Sequence, residues 1–378
     1  VPLGHLIAIQ IALIAVVPFL TAPRTVLIAV ASAAGFVILC CLVSIRGRWL
    51  WRWPVDYLAY RLRSRRVRAG DDQRWELLAR LLPGAVLSEV EVDGEPGVAV
   101  LHPTGVVIVL QPFTSTEGVV VPAVALPSPA AFLPAVEAIP VPVSVQMVVA
   151  TTPTTRANDR SSSAAEESYR TLTKGIVPRE RRAFYAIRVC RDDIDRADAD
   201  LMAMAVNVAR RTVRRIRKQG LTLRVLTQDE LLTAVAELAG LPWTPPEQPG
   251  MFGNPPDRGS RRLLVAKERW RAWSTGDLHA TYRVRRWGRA GGPPWRLLDL
   301  MSALPTPTII WSVTARREGA STDLECLIRV VADNRSGLRS VASTLTTAAR
   351  SVKVGVQRMD GHHREGVAAT VPIGGFLR

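Results

Sequence analysis

Lysine is nearly absent from this chain. Lys174, Lys218, Lys267 and Lys353 are the only ones in 378 residues, which leaves Arg as 45 of the 49 basic residues. Such a bias, beside abundant Ala and Val, marks a GC-rich bacterial genome and is not in itself chemistry. Cysteine is scarce as well. Cys40, Cys41, Cys190 and Cys326 are scattered, with no Cys-x-x-Cys and no Cys/His cluster, which argues against zinc and against a disulfide framework. A reducing compartment fits best. There is no Gly-rich phosphate loop, no Gly-x-Ser-x-Gly elbow and no His-Glu-x-x-His. His5 and His102 stand alone. His362-His363 sits in a Gly-flanked turn, Gly361 to Gly366, with no carboxylate or thiol expected beside it. These absences predict no cofactor, no metal and no assembled catalytic site.

What the chain does have is positive charge and apolar runs. The net charge of +16 calls for an anionic partner: phospholipid head groups, nucleic acid or an acidic protein. A hydrophobic fraction of 48% is high for a soluble protein. Leu3 to Leu20 is apolar apart from His5 and Gln10, and Thr25 to Ile45 carries no charge. As helices of about 18 and 21 residues these rise roughly 27 and 31 Å, near the thickness of a bilayer core. Thr21-Ala22-Pro23-Arg24 is long enough to turn the chain, so residues 1–45 are expected to form a two-helix transmembrane hairpin. A cleaved signal peptide fits less well, since a second run follows at once and no basic segment precedes the first. A core hairpin of a soluble fold is the other alternative.

Orientation follows from charge. Arg46, Arg48, Arg52, Arg61, Arg63, Arg65, Arg66 and Arg68 come directly after the second run, opposed only by Asp56. Such segments stay in the cytoplasm, so both termini and the main region are expected there, at a bacterial inner membrane. Trp49, Trp51 and Trp53, with Tyr57 and Tyr60, interleave with these Arg as expected at a headgroup layer. Their place beside a span assigns residues 46–70 to anionic lipid rather than to nucleic acid. Ala29, Ala31, Ala33, Ala34 and Gly35 give the second run a small-residue surface, with Ala31 and Gly35 one turn apart for close helix packing.

Past residue 70 the pattern alternates strands and helices. Ala85 to Val92 and Gly97 to Leu101 read as a hairpin turning at Asp93-Gly94. Gly105–Leu110, Val141–Ala150, Ala183–Cys190 and Leu221–Leu226 read as strands. Pro129–Ala138, Asp195–Gln219 and Gln228–Leu238 read as helices, the second with Leu201, Ala205, Val208, Val213 and Ile216 along one face. After a Pro/Gly-rich connector at 242–260 the order recurs. Leu278–Arg286, Thr308–Arg317, Thr322–Val331 and Val352–Met359 are strands, with helices at Pro294–Leu304 and Gly337–Arg350. Residues 71–241 and 261–378 thus each read β-α-β-β-α-β, a duplicated ferredoxin-like α/β region. Short matches accompany this: Val148 and Ala150 with Val313 and Ala315, and Ile187-Arg188-Val189 with Ile328-Arg329-Val330. A single larger α/β sheet gives the same string.

Two charge clusters bracket the longest helix. Asp192, Asp193, Asp195, Asp198 and Asp200 lie at its start, where carboxylates complement the helix dipole and cap free N–H groups. The competing reading is an Asp-x-Asp metal site in a membrane-associated, glycosyltransferase-like enzyme using a nucleotide-sugar. Arg210, Arg211, Arg214, Arg215, Arg217 and Lys218 crowd its end, where cations also suit the dipole. They are candidates for contact with lipid or an acidic partner.

Three stretches together resemble EccE, a component of the type VII (ESX) secretion membrane complex. They are the paired runs ending in Arg46 to Arg68; Glu180 to Val189 with the helix, strand and Gln228-Asp229-Glu230-Leu231-Leu232 that follow; and Lys267-Glu268-Arg269-Trp270-Arg271-Ala272-Trp273 followed by His279 to Val284. The resemblance covers Leu3 to Val284 and is most specific in the third stretch. It implies a non-catalytic structural subunit at the edge of a complex with EccB, the ATPase EccC and EccD, with no catalytic residues to carry over. A lipid-binding anchor module is the third class to be distinguished.

Overall fold

Pro18 interrupts the first apolar run. Its missing N–H cannot bond the Ile14 carbonyl, and the α-helix ends at Ile14. In the computed structural model the chain divides into two units, residues 1–64 and 65–378. Residues 3–45, 48–64, 72–113, 126–134, 141–153, 179–191, 196–218, 220–241, 266–285, 297, 300, 308–318 and 321–375 are the ones described. In the first unit, α1 is Leu3–Ile14, followed by a 3₁₀ turn at Val17–Phe19. The expected single span of Leu3 to Leu20 is therefore a twelve-residue helix, rising about 18 Å, plus a separate turn. Helix α2, Arg24–Leu42, starts at Pro23 and is unbroken over 19 residues. A two-residue hairpin follows, β1 (Ser44–Ile45) with β2 (Arg48–Trp49), and then α3, Arg52–Leu62.

The second unit opens with α4, Gln73–Leu81, capped by Asp72, whose carboxylate accepts from the Arg74 and Trp75 amides at 3.0 and 3.3 Å. Strands β3 (Val86–Val92) and β4 (Glu95–His102) then form the expected hairpin. Asp93 and Gly94 both have positive φ, 56° and 89°, as a two-residue turn matching strand twist requires. After these come β5 (Gly105–Phe113), β6 (Val143–Pro153), β7 (Arg179–Cys190), α5 (Asp198–Arg217), β8 (Thr222–Val225) and α6 (Gln228–Leu238). The remaining elements are β9 (Lys267–Arg269), β10 (Ala272–Ser274), β11 (Leu278–Arg285), β12 (Thr308–Glu318), β13 (Ser321–Ala332), α7 (Arg335–Ser351), β14 (Gly355–Arg358) and α8 (His363–Ala368).

All twelve strands from β3 to β14 join one antiparallel sheet. Its path is β3-β4-β5-β7-β6-β12-β13-β11-β10-β9. β8 pairs with the end of β5, and β14 with the end of β11. Elements β5 to β8 therefore lie across the sheet as β8-β5-β7-β6, and β11 to β14 as β14-β11-β13-β12. The two sets meet where β6 pairs with β12, Gln146 opposite Thr314 and Val148 opposite Ser312.

Each sheet face is covered by helices. One face packs α5, through Leu201, Ala205, Val208, Val213 and Ile216, and α7, through Val341, Leu345 and Ala349. The other packs α4 through Leu77 and Leu78, α6 through Leu231, Leu232 and Val235, and the C-terminal residues Val367, Val371 and Ile373. Because both faces are buried, the central strands are largely apolar on both sides, as in Met147 to Val149, with a few buried polar residues such as Gln146 among them.

Several expectations need correction. The Pro129–Ala138 helix is a 3₁₀ turn at Pro129–Phe132 that ends at an extended Leu133, and residues 135–138 lie outside the described residues. The 242–260 connector lies outside them too, as does Pro294–Leu304 apart from Leu297 and Leu300. The last strand begins only at Gly355, because Lys353 turns the chain with φ 58°. The match of Val148 and Ala150 with Val313 and Ala315 fails, since the two pairs pack on opposite faces of the sheet. A one-residue register slip does this in any strand. The match of Ile187 with Ile328 holds, both packing on the α5–α7 face.

Candidate functional site

Among the described residues, α2 is the helix long and apolar enough to cross a membrane. Nineteen residues rise about 28 Å, close to a hydrocarbon core. Helix α1 packs against it. The more covered positions of α2, Leu27, Val30, Ala34, Ile38 and Cys41, follow a three-to-four spacing, with Cys40 partly covered beside them, whereas Ala31 and Gly35 are exposed. A Cβ placed on Gly35 meets nothing within 4 Å.

Beyond α2, charge and aromatic rings are interleaved in space as well as in sequence. The Arg52 guanidinium lies over Trp51 at 5.6 Å, Arg61 over Tyr57 at 5.7 Å and Arg63 over Tyr60 at 6.0 Å. Arg48 and Trp49 form β2, and Trp53 is half-buried at the start of α3. Arg46, Arg65, Arg66 and Arg68 fall outside the described residues. Helix α3 also carries a feature that charge reading missed. Trp51, Val55, Leu58 and Leu62, spaced four, three and four, are all exposed. This is an uncovered apolar stripe along a helix rimmed by Arg.

The basic end of α5 splits into two groups. Arg214 donates to Asp93 Oδ1 at 3.1 Å from both Nε and Nη2, and Arg217 reaches Asp93 Oδ2 at 3.2 Å. These two arginines hold the tip of the β3–β4 hairpin and keep the Asp93 carboxyl below its usual range, the Arg214 hydrogen bond most of all. Arg211, Arg215 and Lys218 are exposed and Arg210 is half-buried. At the acidic end, Asp198 pairs with Arg191 and, with Asp200, occupies the first helical turn. Asp192, Asp193 and Asp195 lie outside the described residues. Ala197 is at the N-cap position, so no side chain caps α5 there.

The histidines are held by local partners. His102 is buried, with Nδ1 2.8 Å from Thr104 Oγ1, and burial first, then Arg188 and Arg191, pushes its pKa down to about 4. His362 and His363 are not in a bare turn, as expected, but at the start of α8. His362 lies 3.0 Å from Glu365, and His363 lies 4.0 Å from Asp360.

Gln146, fully buried on β6, is densely hydrogen-bonded. Its Nε2 donates to Ser312 Oγ, Ala369 O and Val371 O at 2.9, 3.0 and 3.1 Å, and its Oε1 accepts from the Gly374 and Gly375 amides at 2.9 and 3.2 Å. Thr314 on β12 donates to Gly375 O at 2.8 Å. The C-terminal segment is thereby pinned across the β6–β12 seam. No short sequence motif marks this arrangement, which joins residues 61 to 229 positions apart.

Comparison with protein families gives a match over part of the chain. The EccE family model, described as "putative type VII ESX secretion system translocon, EccE", matches residues 178–284. That stretch of the chain is similar to EccE. That segment begins at β7 and ends in β11, so it takes in α5, β8, α6 and the β9–β10 hairpin. No curated protein matches the chain. The EccE match supports a component of a type VII secretion system. Together with the apolar helix Arg24–Leu42, it points to association with a membrane.

Proposed function

We propose that this chain is a non-catalytic structural subunit of a type VII secretion membrane complex, holding an α/β region at the cytoplasmic face of the membrane. The EccE match over residues 178–284 carries this reading. In it, α1 and α2 are retained as a two-pass hairpin, and the Arg-rich sequence after α2 keeps both ends cytoplasmic. Helix α3 lies in the headgroup layer, its stripe of Trp51, Val55, Leu58 and Leu62 toward the acyl chains and its arginines toward anionic lipid. The small surface of Ala31 and Gly35 receives a helix of another subunit. EccB, EccC and EccD are the partners that the family resemblance implies, with EccC supplying ATP hydrolysis.

The α/β region is a duplicated ferredoxin-like unit whose two copies share one sheet. The recurring orders β8-β5-β7-β6 and β14-β11-β13-β12 support it, since both are the fourth-first-third-second order of a split β-α-β unit. The enzyme alternative draws on the Asp cluster, of which Asp198 is already engaged by Arg191.

Co-purification in mild detergent from native membranes tests the proposal. The expected outcome is a stable multi-subunit complex containing an ATPase, with the chain turning over no nucleotide-sugar. A solitary protein, or one that hydrolyses or transfers a nucleotide-sugar, would overturn it.

A further inference from the structure

The second set of strands leaves a corner that its edge strands do not fill. Along the outer side of β11, β10 pairs with Leu278 and His279, and β14 pairs with Tyr282 to Arg285. Helix α7 crosses one face of this corner, and a cavity of about 480 Å³ opens between it and the β9–β10 turn. That volume is in the range of small-ligand sites.

Its walls are of two kinds. The floor is apolar: Leu278 from β11, with Leu338 and Ala342 one turn apart on α7. Trp270, at the tip of the β9–β10 turn, forms one side. Its ring rests on Gly361, where a Cβ would come within 2.5 Å of it, and its carbonyl accepts from the Gly361 amide at 2.7 Å. Gly361 has φ 78°, so glycine meets both demands at once.

The rim is cationic. Arg269 and Arg271 flank Trp270, while Arg335 and Arg339 flank Leu338 on α7. All four are exposed and form no ion pair with a described residue. Arg358, also in the wall, is bound to Asp360 through both carboxylate oxygens, so it adds little net charge. The rim sits at the N-terminal end of α7, whose first turn carries no acidic residue, and the helix dipole adds to the positive field there.

A hydrocarbon floor under a rim of four unpaired guanidinium groups matches an amphiphilic anion. Arg suits phosphate oxygens because its donors form a planar fork. We propose that this pocket is a binding site for an anionic phospholipid, with the phosphate on the Arg269, Arg271, Arg335 and Arg339 rim and part of an acyl chain against Leu278, Leu338 and Ala342. Phospholipid is favoured over other amphiphilic anions because this chain carries the apolar helix Arg24–Leu42, which keeps it beside lipid. The site is separate from the Arg and Trp cluster after α2, and it does not depend on the secretion reading.

Native mass spectrometry of the full chain in detergent, supplied with phosphatidylglycerol or phosphatidylcholine, tests the site. The wild type should retain phosphatidylglycerol over phosphatidylcholine. Replacing Arg335 and Arg339 by Ala should remove one phosphatidylglycerol per chain, weakening its retention about tenfold or more. Ala342→Trp, which fills the floor and leaves every Arg, should do the same, with an unchanged circular dichroism spectrum in both variants. Three results would overturn the proposal. The first is retention of the full complement of lipid by the variants; the second is displacement of the lipid by inorganic phosphate at equal concentration, marking a site for free anions; the third is competition by a Glu-rich peptide as effective as the lipid's own, marking a protein-docking surface.

Discussion

Arg188 on β7 and Arg329 on β13 occupy matching places in the two sets of strands, and both reach the same C-terminal segment. Arg188 lies opposite Val107 of β5 and Ser144 of β6, while Arg329 lies opposite Thr281 of β11 and Ile310 of β12. Arg188 donates to Gly374 O at 3.4 Å and Arg329 to Thr370 O at 3.5 Å. Arg329 is fully buried, its Nε and Nη1 have no partner among the described residues, and burial brings its pKa down to about 9. A buried cation of this kind costs stability unless something fixes it in place, and the C-terminal segment supplies a carbonyl. The segment thus ties one set of strands to the other.

The first prediction follows from the side chain at the centre of that tie. Gln146→Leu removes a donor and an acceptor from beneath the segment and strands the Gly374 and Gly375 amides and two carbonyls in the interior. Buried unsatisfied groups cost about 1–3 kcal/mol each, partly relieved by relaxation, so a loss of roughly 2–4 kcal/mol is expected. Denaturant unfolding of the purified chain measures it. Gln146→Glu should also destabilise, because it turns the donor toward Ala369 O and Val371 O into an acceptor. A midpoint unchanged by Gln146→Leu would show that the segment is held by apolar contacts alone.

A second prediction concerns acid. His102 has its pKa lowered from 6.5 to about 4, with burial as the largest cause. The unfolded chain then binds the proton more readily than the folded one between those values. Stability is therefore full above pH 6.5 and falls as pH drops toward 4. Between pH 7 and pH 5 this group should withdraw about 2 kcal/mol. The His102→Gln variant should lose less over the same interval, because its side chain does not titrate. Equal losses in the two proteins would assign the acid sensitivity elsewhere.

Local signals made much of this fold legible in the sequence. The Asp93-Gly94 dipeptide names its own hairpin turn, and α6 runs from Gln228 to Leu238 as its periodicity reads. The buried face of α5 was likewise visible as Leu201, Ala205, Val208, Val213 and Ile216. What escaped was short or distant. Strands β9 and β10 have three residues each, too few for alternation to show. The stripe on α3 was hidden because its Trp and Arg residues drew the reading toward charge. Two of the six cations at the end of α5 looked free for a partner, yet Arg214 and Arg217 bind Asp93, over 120 residues earlier. The pocket joins Arg269 and Arg271 to Arg335 and Arg339, which only tertiary folding brings together.

The third prediction is topological. Eight Arg follow α2 and only Arg24, its first residue, stands at the opposite end, so the loop before α2 should face away from the cytoplasm. In a variant with its own cysteines replaced, a cysteine at Thr21 should react with a membrane-impermeant thiol reagent on intact cells. One at Ser161 should react only after the cells are opened. The reverse pattern would place the α/β region outside and would remove it from reach of a cytoplasmic ATPase.

The last prediction separates a tether from an assembly surface. Ala31 and Gly35 are exposed along the flank of the covered side of α2, and Gly35 has open space where a side chain would project. In a bilayer, helices associate by close packing rather than by expulsion of water, so small residues on an open face favour a partner helix. Ala31→Leu and Gly35→Leu would push that helix outward, and overpacking of this kind costs roughly 1–3 kcal/mol. Assembly should weaken while the α/β region keeps its fold, because neither residue is part of it. A chain starting near Gly70 should fold yet fail to join the complex stably. Size-exclusion chromatography of complexes purified with each variant reads both effects. If the truncated chain assembles as tightly as the full one, α1 and α2 are only a tether, and the binding energy lies in the α/β region.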